Sequence, residues 1–345
     1  MRRPQACGIH PCRPQWPLFR PFGTGGGKTQ TQFPALTRRR KPPPLHSAVV
    51  TRRKNMQTCV PGFLGLEAKD SDYKHSRFVV LPIPYDATTS YNVGTRHGPE
   101  AILRASGQVE LFDEELGGEF HRAGVATLLP VEAEARGPEA MHEAIFRAAR
   151  PVVAAGKFLF GLGGEHGVTS GLVRAVMTKH KKLSVLQIDA HSDLRDAYHG
   201  SPYSHASVMR RVVDYGATLV PVGIRAVSAE DHRFMKRAGI RPVTARDCMM
   251  TEDWVDRILD SLGDTVYVTI DIDGFDPAYA PGTGTPEPGG LDWYQVTGLL
   301  RLVAAEKNIV AADLVEVMPL PGQTVTEFLA ARLAYKLMAY VQARK

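Results

Sequence analysis

At 345 residues, 43% hydrophobic and 23% charged, the chain can fill one large α/β domain or two small ones, and no run nears the roughly 18 uninterrupted apolar residues of a membrane span. Its four cysteines (Cys7, Cys12, Cys59 and Cys248) are too few and too scattered for a disulfide scaffold or a CxxC zinc site, which fits a reducing, cytoplasmic setting. The formal charge of +6 is uneven: residues 1–55 hold twelve Lys/Arg and no acid, leaving 30 basic and 36 acidic residues in the other 290, so the main reason to expect a nucleic-acid-binding fold disappears.

The basic leader, 1–55, carries nine prolines and no periodic apolar pattern. Such a segment cannot bury enough surface to offset its ordering entropy and reads as disordered. It is a basic tail for anionic partners, an organelle address, or a start codon set too early. The last is preferred, because folded-protein texture begins near Met56.

From there the chain alternates. The run Phe78–Pro84 is apolar, β-branched and ended by prolines, a buried strand by pattern. A helix start with Pro in its first turn follows at Gly98. Further strand-like runs recur at 157–162, 183–188, 218–222, 266–270 and 309–317, with helical stretches at 139–149, 170–179, 252–262, 292–305 and 326–342. Strands alternating with helices predict a mostly parallel sheet covered on both faces, a three-layer α/β/α domain over 56–345. In such sheets ligands sit outside the carboxyl ends of the strands.

Those ends are where the unusual residues collect. Run 157–162 leads into Gly163-Gly164-Glu165-His166, run 183–188 into Asp189-Ala190-His191-Ser192-Asp193, and run 266–270 into Asp271-Ile272-Asp273; run 309–317 carries Glu316. Buried strands that all finish in His or carboxylate need compensating charge. Asp189, Asp193, Asp271 and Asp273 contribute −4, which two divalent cations would balance, with neutral His166 and His191 completing the shells. A hard, oxygen-rich set without thiolate suits Mn²⁺ better than structural zinc. The i, i+2 pairs Asp189/His191 and Asp271/Asp273 share a side of extended chain. Asp193 would lie about 13 Å beyond Asp189 on a continuing strand, whereas paired metals are only about 3.5–4 Å apart. The chain must therefore curl back after His191. Neither Gly163 nor Gly282 belongs to a phosphate loop. Cys59 and Cys248 read as apolar fillers, and Asp276 as a turn residue.

The motifs GGEHGVT, DAHSDL and DIDGFDPAYAPGTGTPEPGGL resemble, in order, the signatures of the ureohydrolases, the arginase and agmatinase superfamily. The resemblance runs from about Phe63 to the C-terminus and implies an arginase-like fold with an eight-stranded sheet. It implies two Mn²⁺ per subunit, one held by His166, Asp189, Asp193 and Asp271, the other by His191, Asp189, Asp271 and Asp273. It also implies a homo-trimer or homo-hexamer acting on a small guanidino substrate, with no nucleic acid or membrane involved in the core. The Ser-Gly-Asn segment expected of arginases after DAHxD is missing, and the Pro202-Tyr203-Ser204-His205 loop is similar to agmatinases. One departure is Glu165-His166-Gly167, where many relatives have Asp-His-Ser. The implied reaction is hydrolysis of agmatine to putrescine and urea by a hydroxide held between the metals. Asp193 would orient it, Glu316 would grip two guanidinium N–H groups, and His205 (with His199 its rival) would pass a proton to the leaving amine. Guanidinobutyrate, guanidinopropionate and arginine are alternative substrates. A one-zinc deacetylase-like hydrolase and a non-catalytic interaction protein are more distant readings.

Overall fold

The computed structural model describes residues 56–59 and 62–344; the expected leader, 1–55, lies outside the described residues, with Cys7 and Cys12. Eight strands form one sheet: β1 Phe78–Ile83, β2 Val125–Thr127, β3 Phe158–Gly163, β4 Ser184–Ile188, β5 Thr218–Ile224, β6 Val243–Thr244, β7 Thr265–Asp271 and β8 Asn308–Val315. Their order is β2-β1-β3-β8-β7-β4-β5-β6, and every pairing is parallel. The helices are α1 Ala68–Ser71, α2 Gly98–Ser106, α3 Pro138–Ala154, α4 Thr169–Met177, α5 Val208–Asp214, α6 Ala229–Ala238, α7 Ala245–Met250, α8 Trp254–Ser261, α9 Trp293–Glu306 and α10 Val325–Ala343.

Alternation along each strand divides the core in two. Phe78 and Val80 of β1 face one way, with Ile102 of α2, Ile258 of α8, Leu300 of α9 and Leu337 of α10. Val79, Leu81 and Ile83 face the other, with Ile145 of α3, Leu172 of α4, Met209 of α5 and Met235 of α6. The result is the α/β/α sandwich that the alternating pattern predicts, fully parallel rather than mostly so. No helix among the described residues is long and apolar enough to cross a membrane.

Six strands match predicted runs. β2 and β6 do not, because edge strands of three and two residues carry no periodicity to read. Helix α3 also outruns its predicted end at Ala149 and passes through Pro151. A helical proline forfeits one backbone bond, but the next turn buries Val152 and Val153, at 0% and 5% exposure, against the sheet.

The topology fixes where a ligand can enter. After β4 the chain crosses by α5 on one face toward β5, whereas after β7 it crosses by α9 on the opposite face toward β8. Neighbouring strands whose connections leave in opposite directions open a crevice at their carboxyl ends. The switch lies between β4 and β7, inside the contiguous quartet β3-β8-β7-β4.

Candidate metal centre

Each strand of that quartet delivers one predicted segment to the same crevice. Segment 164–166 enters closely against the β1 exit: a Cβ on Gly164 would lie 2.1 Å from the Tyr85 carbonyl oxygen, so only glycine fits. His166 follows, fully buried. Its Nδ1 stands 3.1 Å from Asp189 Oδ2, 3.1 Å from Asp193 Oδ2 and 3.3 Å from Asp271 Oδ2. His191 Nδ1 stands 3.0 Å from Asp273 Oδ2 and 3.8 Å from Asp189 Oδ1. Two close-set groups result, His166/Asp189/Asp271 and Asp189/His191/Asp273, sharing Asp189. Asp193 touches His166 without joining the first tight trio, and Asp271 stands outside the second.

The curl demanded by Asp193 is present. Its φ of 51° turns the chain back after His191, and its carbonyl accepts from Met209 N at 3.0 Å in the first turn of α5. The other carboxylates are aimed by backbone N–H groups: Asp189 Oδ1 accepts from His191 N at 2.6 Å, Asp271 Oδ1 from Asp273 N at 3.0 Å and Asp273 Oδ1 from Ala190 N at 3.1 Å.

A relay across the sheet shows what His166 is prepared for. Asp313, on β8, accepts from Tyr267 OH at 2.5 Å and from Thr269 Oγ1 at 2.6 Å. With its proton committed to Asp313, the Thr269 hydroxyl can only accept from His166 Nε2, 3.1 Å away. Nε2 therefore keeps a proton, and Nδ1, facing three carboxylate oxygens, is the ring nitrogen left to give up its proton to a cation held there. Nδ1 is indeed buried without a hydrogen-bond partner. Converging lone pairs from an imidazole and carboxylates, with the far ring nitrogen anchored behind, fit a divalent cation. A zinc–thiolate site does not fit, since Cys248 is buried elsewhere in the apolar core, its thiol pushed up to about 12 mainly by burial.

Titration of these side chains reflects the same crowding. Burial and neighbouring carboxylates push Asp271 well above the carboxylate range and Asp189 up to about 6. Burial would lower His166 and His191, but the surrounding carboxylates overcome it, raising His166 well above its ordinary value and His191 to about 11. Burial alone would raise Asp273; the His191 imidazole beside it brings it down to about 2.

Glu316 leaves β8 at φ 61°, buried, with its N–H held by Gly164 O at 2.8 Å and its Oε1 accepting from His166 N at 2.6 Å. One oxygen is therefore already engaged, while Oε2 faces the Gly284 side of a narrow cleft. That cleft is lined by Asn92, Asp193, His205, Asp271, Thr285 and Glu316. It shares Asp193 and His205 with a wider opening of about 300 Å³ that Arg195, Tyr198 and Glu287 also border. His199 is exposed and meets Tyr198 edge-on, with ring centroids 4.2 Å apart. Asp276 does more than turn the chain: its carboxylate accepts from Ala278 N, Gly289 N and Gly290 N at 2.9, 2.8 and 3.0 Å, tying two loops together.

Sequence reasoning missed Thr269, Asp313 and Thr88. Asp313 had a signal, a lone acid inside an apolar strand run; a threonine in a polar loop had none.

The Arginase family signature matches residues 76–340. An N(1)-aminopropylagmatine ureohydrolase of Synechocystis sp. is 43% identical over 285 residues, 81% of this chain and 93% of that protein. A protein of the same name from Thermus thermophilus is 42% identical, covering 77% of this chain and 91% of its own length. The crystal structure of agmatine ureohydrolase of Thermoplasma volcanium superposes with a TM-score of 0.72 at 33% identity, over 79% of this chain and 92% of that one. By motif, topology and likeness together, the chain belongs to the arginase family, a hydrolase acting on C–N bonds of linear amidines.

Proposed function

We propose that the protein is a manganese-dependent agmatinase, hydrolysing the guanidinium of agmatine to urea and putrescine. The observation that carries this reading is the orphaned Nδ1 of His166 among three buried carboxylates. His166, Asp189, Asp193 and Asp271 would hold one ion, and His191, Asp189, Asp271 and Asp273 the other. When bound, the pair supplies water acidified enough to attack at neutral pH.

The residues of the chain do the rest. Asp193, where the tight group meets the cleft, orients the attacking water and takes its proton. Glu316 presents its free Oε2 to a guanidinium N–H, and its engaged Oε1 keeps one lone pair for a second. The grip fixes the guanidinium carbon over the attacking oxygen. As the C–N bond breaks with its electron pair going to nitrogen, His205 hands the leaving amine its proton. His205 lines the cleft, and His199 does not.

A second reading, N(1)-aminopropylagmatine as substrate, is favoured by the names of the two relatives at 43% and 42% identity. Urea release by the Mn²⁺-loaded enzyme should be compared for agmatine, N(1)-aminopropylagmatine, guanidinobutyrate, guanidinopropionate and arginine. The highest kcat/KM with agmatine is expected; arginine as best substrate would defeat both readings. Cys59 and Cys248, free among the described residues, support a cytoplasmic setting. The family resemblance supports a homo-trimer or homo-hexamer, which light scattering tests.

A further inference from the structure

Glu165 is fully buried, yet it holds no proposed metal ligand by its side chain. Both its oxygens go to one residue: Oε2 accepts from Thr88 N at 2.6 Å, and Oε1 from the Thr88 hydroxyl at 2.9 Å. That hydroxyl in turn faces His205 twice, 3.0 Å from its backbone N and 3.2 Å from its Nδ1. A hydroxyl whose single proton is committed to a carboxylate has only lone pairs left. It accepts from His205 N–H and from Nδ1–H, so Nδ1 carries the ring proton. Nε2 keeps its lone pair and looks toward the cleft, with Ser90 Oγ at 3.5 Å beside it.

We infer that Glu165 is a positioning residue that acts through Thr88 to orient His205 and fix its tautomer, making Nε2 the atom that exchanges protons with the reacting groups. The inference rests on the proposed proton-donor role of His205. Nε2 takes up the proton released from the attacking water by way of Asp193 and delivers it to the amine nitrogen as the C–N bond breaks, so the proton count closes without another donor. It also accounts for the departure at 165–167. A Cβ on Gly167 would lie 3.1 Å from Glu165 Oε1, 3.2 Å from Tyr203 O and 3.3 Å from His205 N. Glycine at 167 leaves room for the longer acid at 165 to reach Thr88 and for the His205 loop to close over it.

The test uses the Mn²⁺-loaded full chain with agmatine, reading kcat, KM and bound manganese separately. Thr88→Val keeps the side-chain volume but removes the hydroxyl. It should lower kcat by about tenfold or more, with KM and manganese content within about twofold of wild type, and Thr88→Ser should restore most of kcat. Glu165→Asp, one methylene too short for Thr88, should show the same kcat-specific loss if Thr88→Val fails to fold. Wild-type kcat in either loss variant, alongside an inactive His205→Ala enzyme, would overturn the relay. An active His205→Ala enzyme would remove His205 from the reaction and overturn the underlying role as well.

Discussion

On α10, the buried Lys336 reaches Asp113, Glu114 and Glu115 at 3.1, 3.2 and 2.9 Å, and Tyr340 OH adds a 2.6 Å bond to Glu115. Burial would raise Glu115 and lower Lys336; the Tyr340 hydroxyl, Lys336 and Arg301 bring the acid down, and Glu115, Asp113 and Glu114 bring the base up. At the carboxyl ends of β3, β8, β7 and β4 the balance is different. Asp189, Asp193, Asp271 and Asp273 face two imidazoles, Glu165 and Glu316 are buried nearby, and there Asp189, Asp271, Glu165 and Glu316 are pushed up rather than down, chiefly by burial. Both clusters hold buried acid. The first supplies its own cations and so serves the fold. The second is short of positive charge, which is what the proposed metal pair would bring.

That contrast can be broken most forcefully at Asp271. Asp271→Asn should lower urea release roughly a thousandfold or more by weakening both ion sites. In the metal-free protein the same change should raise the thermal midpoint, because a neutral amide replaces a carboxyl group that burial forces to hold its proton far above its ordinary range; a lower midpoint without metal would refute the charge argument. Lys336→Met should do the reverse. It leaves the buried Asp113 without its cation, although Glu115 keeps Arg301 at 2.7 Å, at a cost of about 3–5 kcal/mol in urea unfolding, while kcat and manganese content of the folded fraction stay at wild-type levels.

The smallest effect is in pH. In the metal-free protein, Asp189 is raised from 3.8 to about 6 and His191 from 6.5 to about 11, with Asp271, Glu316 and His166 also raised. All these groups bind protons more tightly folded than unfolded, so stability must fall as pH rises. The histidine contribution is complete below 6.5 and fades toward the folded value of about 11. The Asp189 penalty is absent below 3.8 and full above about 6. Asp273, lowered from 3.8 to about 2, acts oppositely but below this window. Between pH 5 and 8, with chelator present, unfolding free energy should drop by on the order of 3 kcal/mol from His191 and Asp189 alone. With saturating Mn²⁺ the slope should turn upward, since deprotonated ligands bind metal more tightly. Equal slopes in both conditions would count against a metal at this cluster.

Much of the site was legible because its residues are chemically loud. Asp189, His191, Asp271 and Asp273 stand at the ends of apolar runs where charge is expensive, and the need for a turn at Asp193 follows from strand rise alone. The quieter half was not legible. Thr269 and Asp313 on neighbouring strands orient His166 through contacts 103 and 44 residues apart in sequence, and nothing in a single strand's pattern records which threonine its neighbour will need. Thr88 is a still clearer case, a loop hydroxyl given meaning only by Glu165 and His205, 77 and 117 positions away.

From its order of residues alone, the chain determined an α/β alternation, the strand ends that bear acid and imidazole, and the charge those ends must find. Local spacing and the cost of burying charge suffice for that. Folding decided the sheet order that sets β3, β8, β7 and β4 side by side, the short edge strands, the persistence of α3 past Pro151, and which ring nitrogen of His166 and His205 holds its proton. Those features depend on partners brought together across the sheet, and a hydrogen bond is a property of a pair that no single stretch of sequence contains.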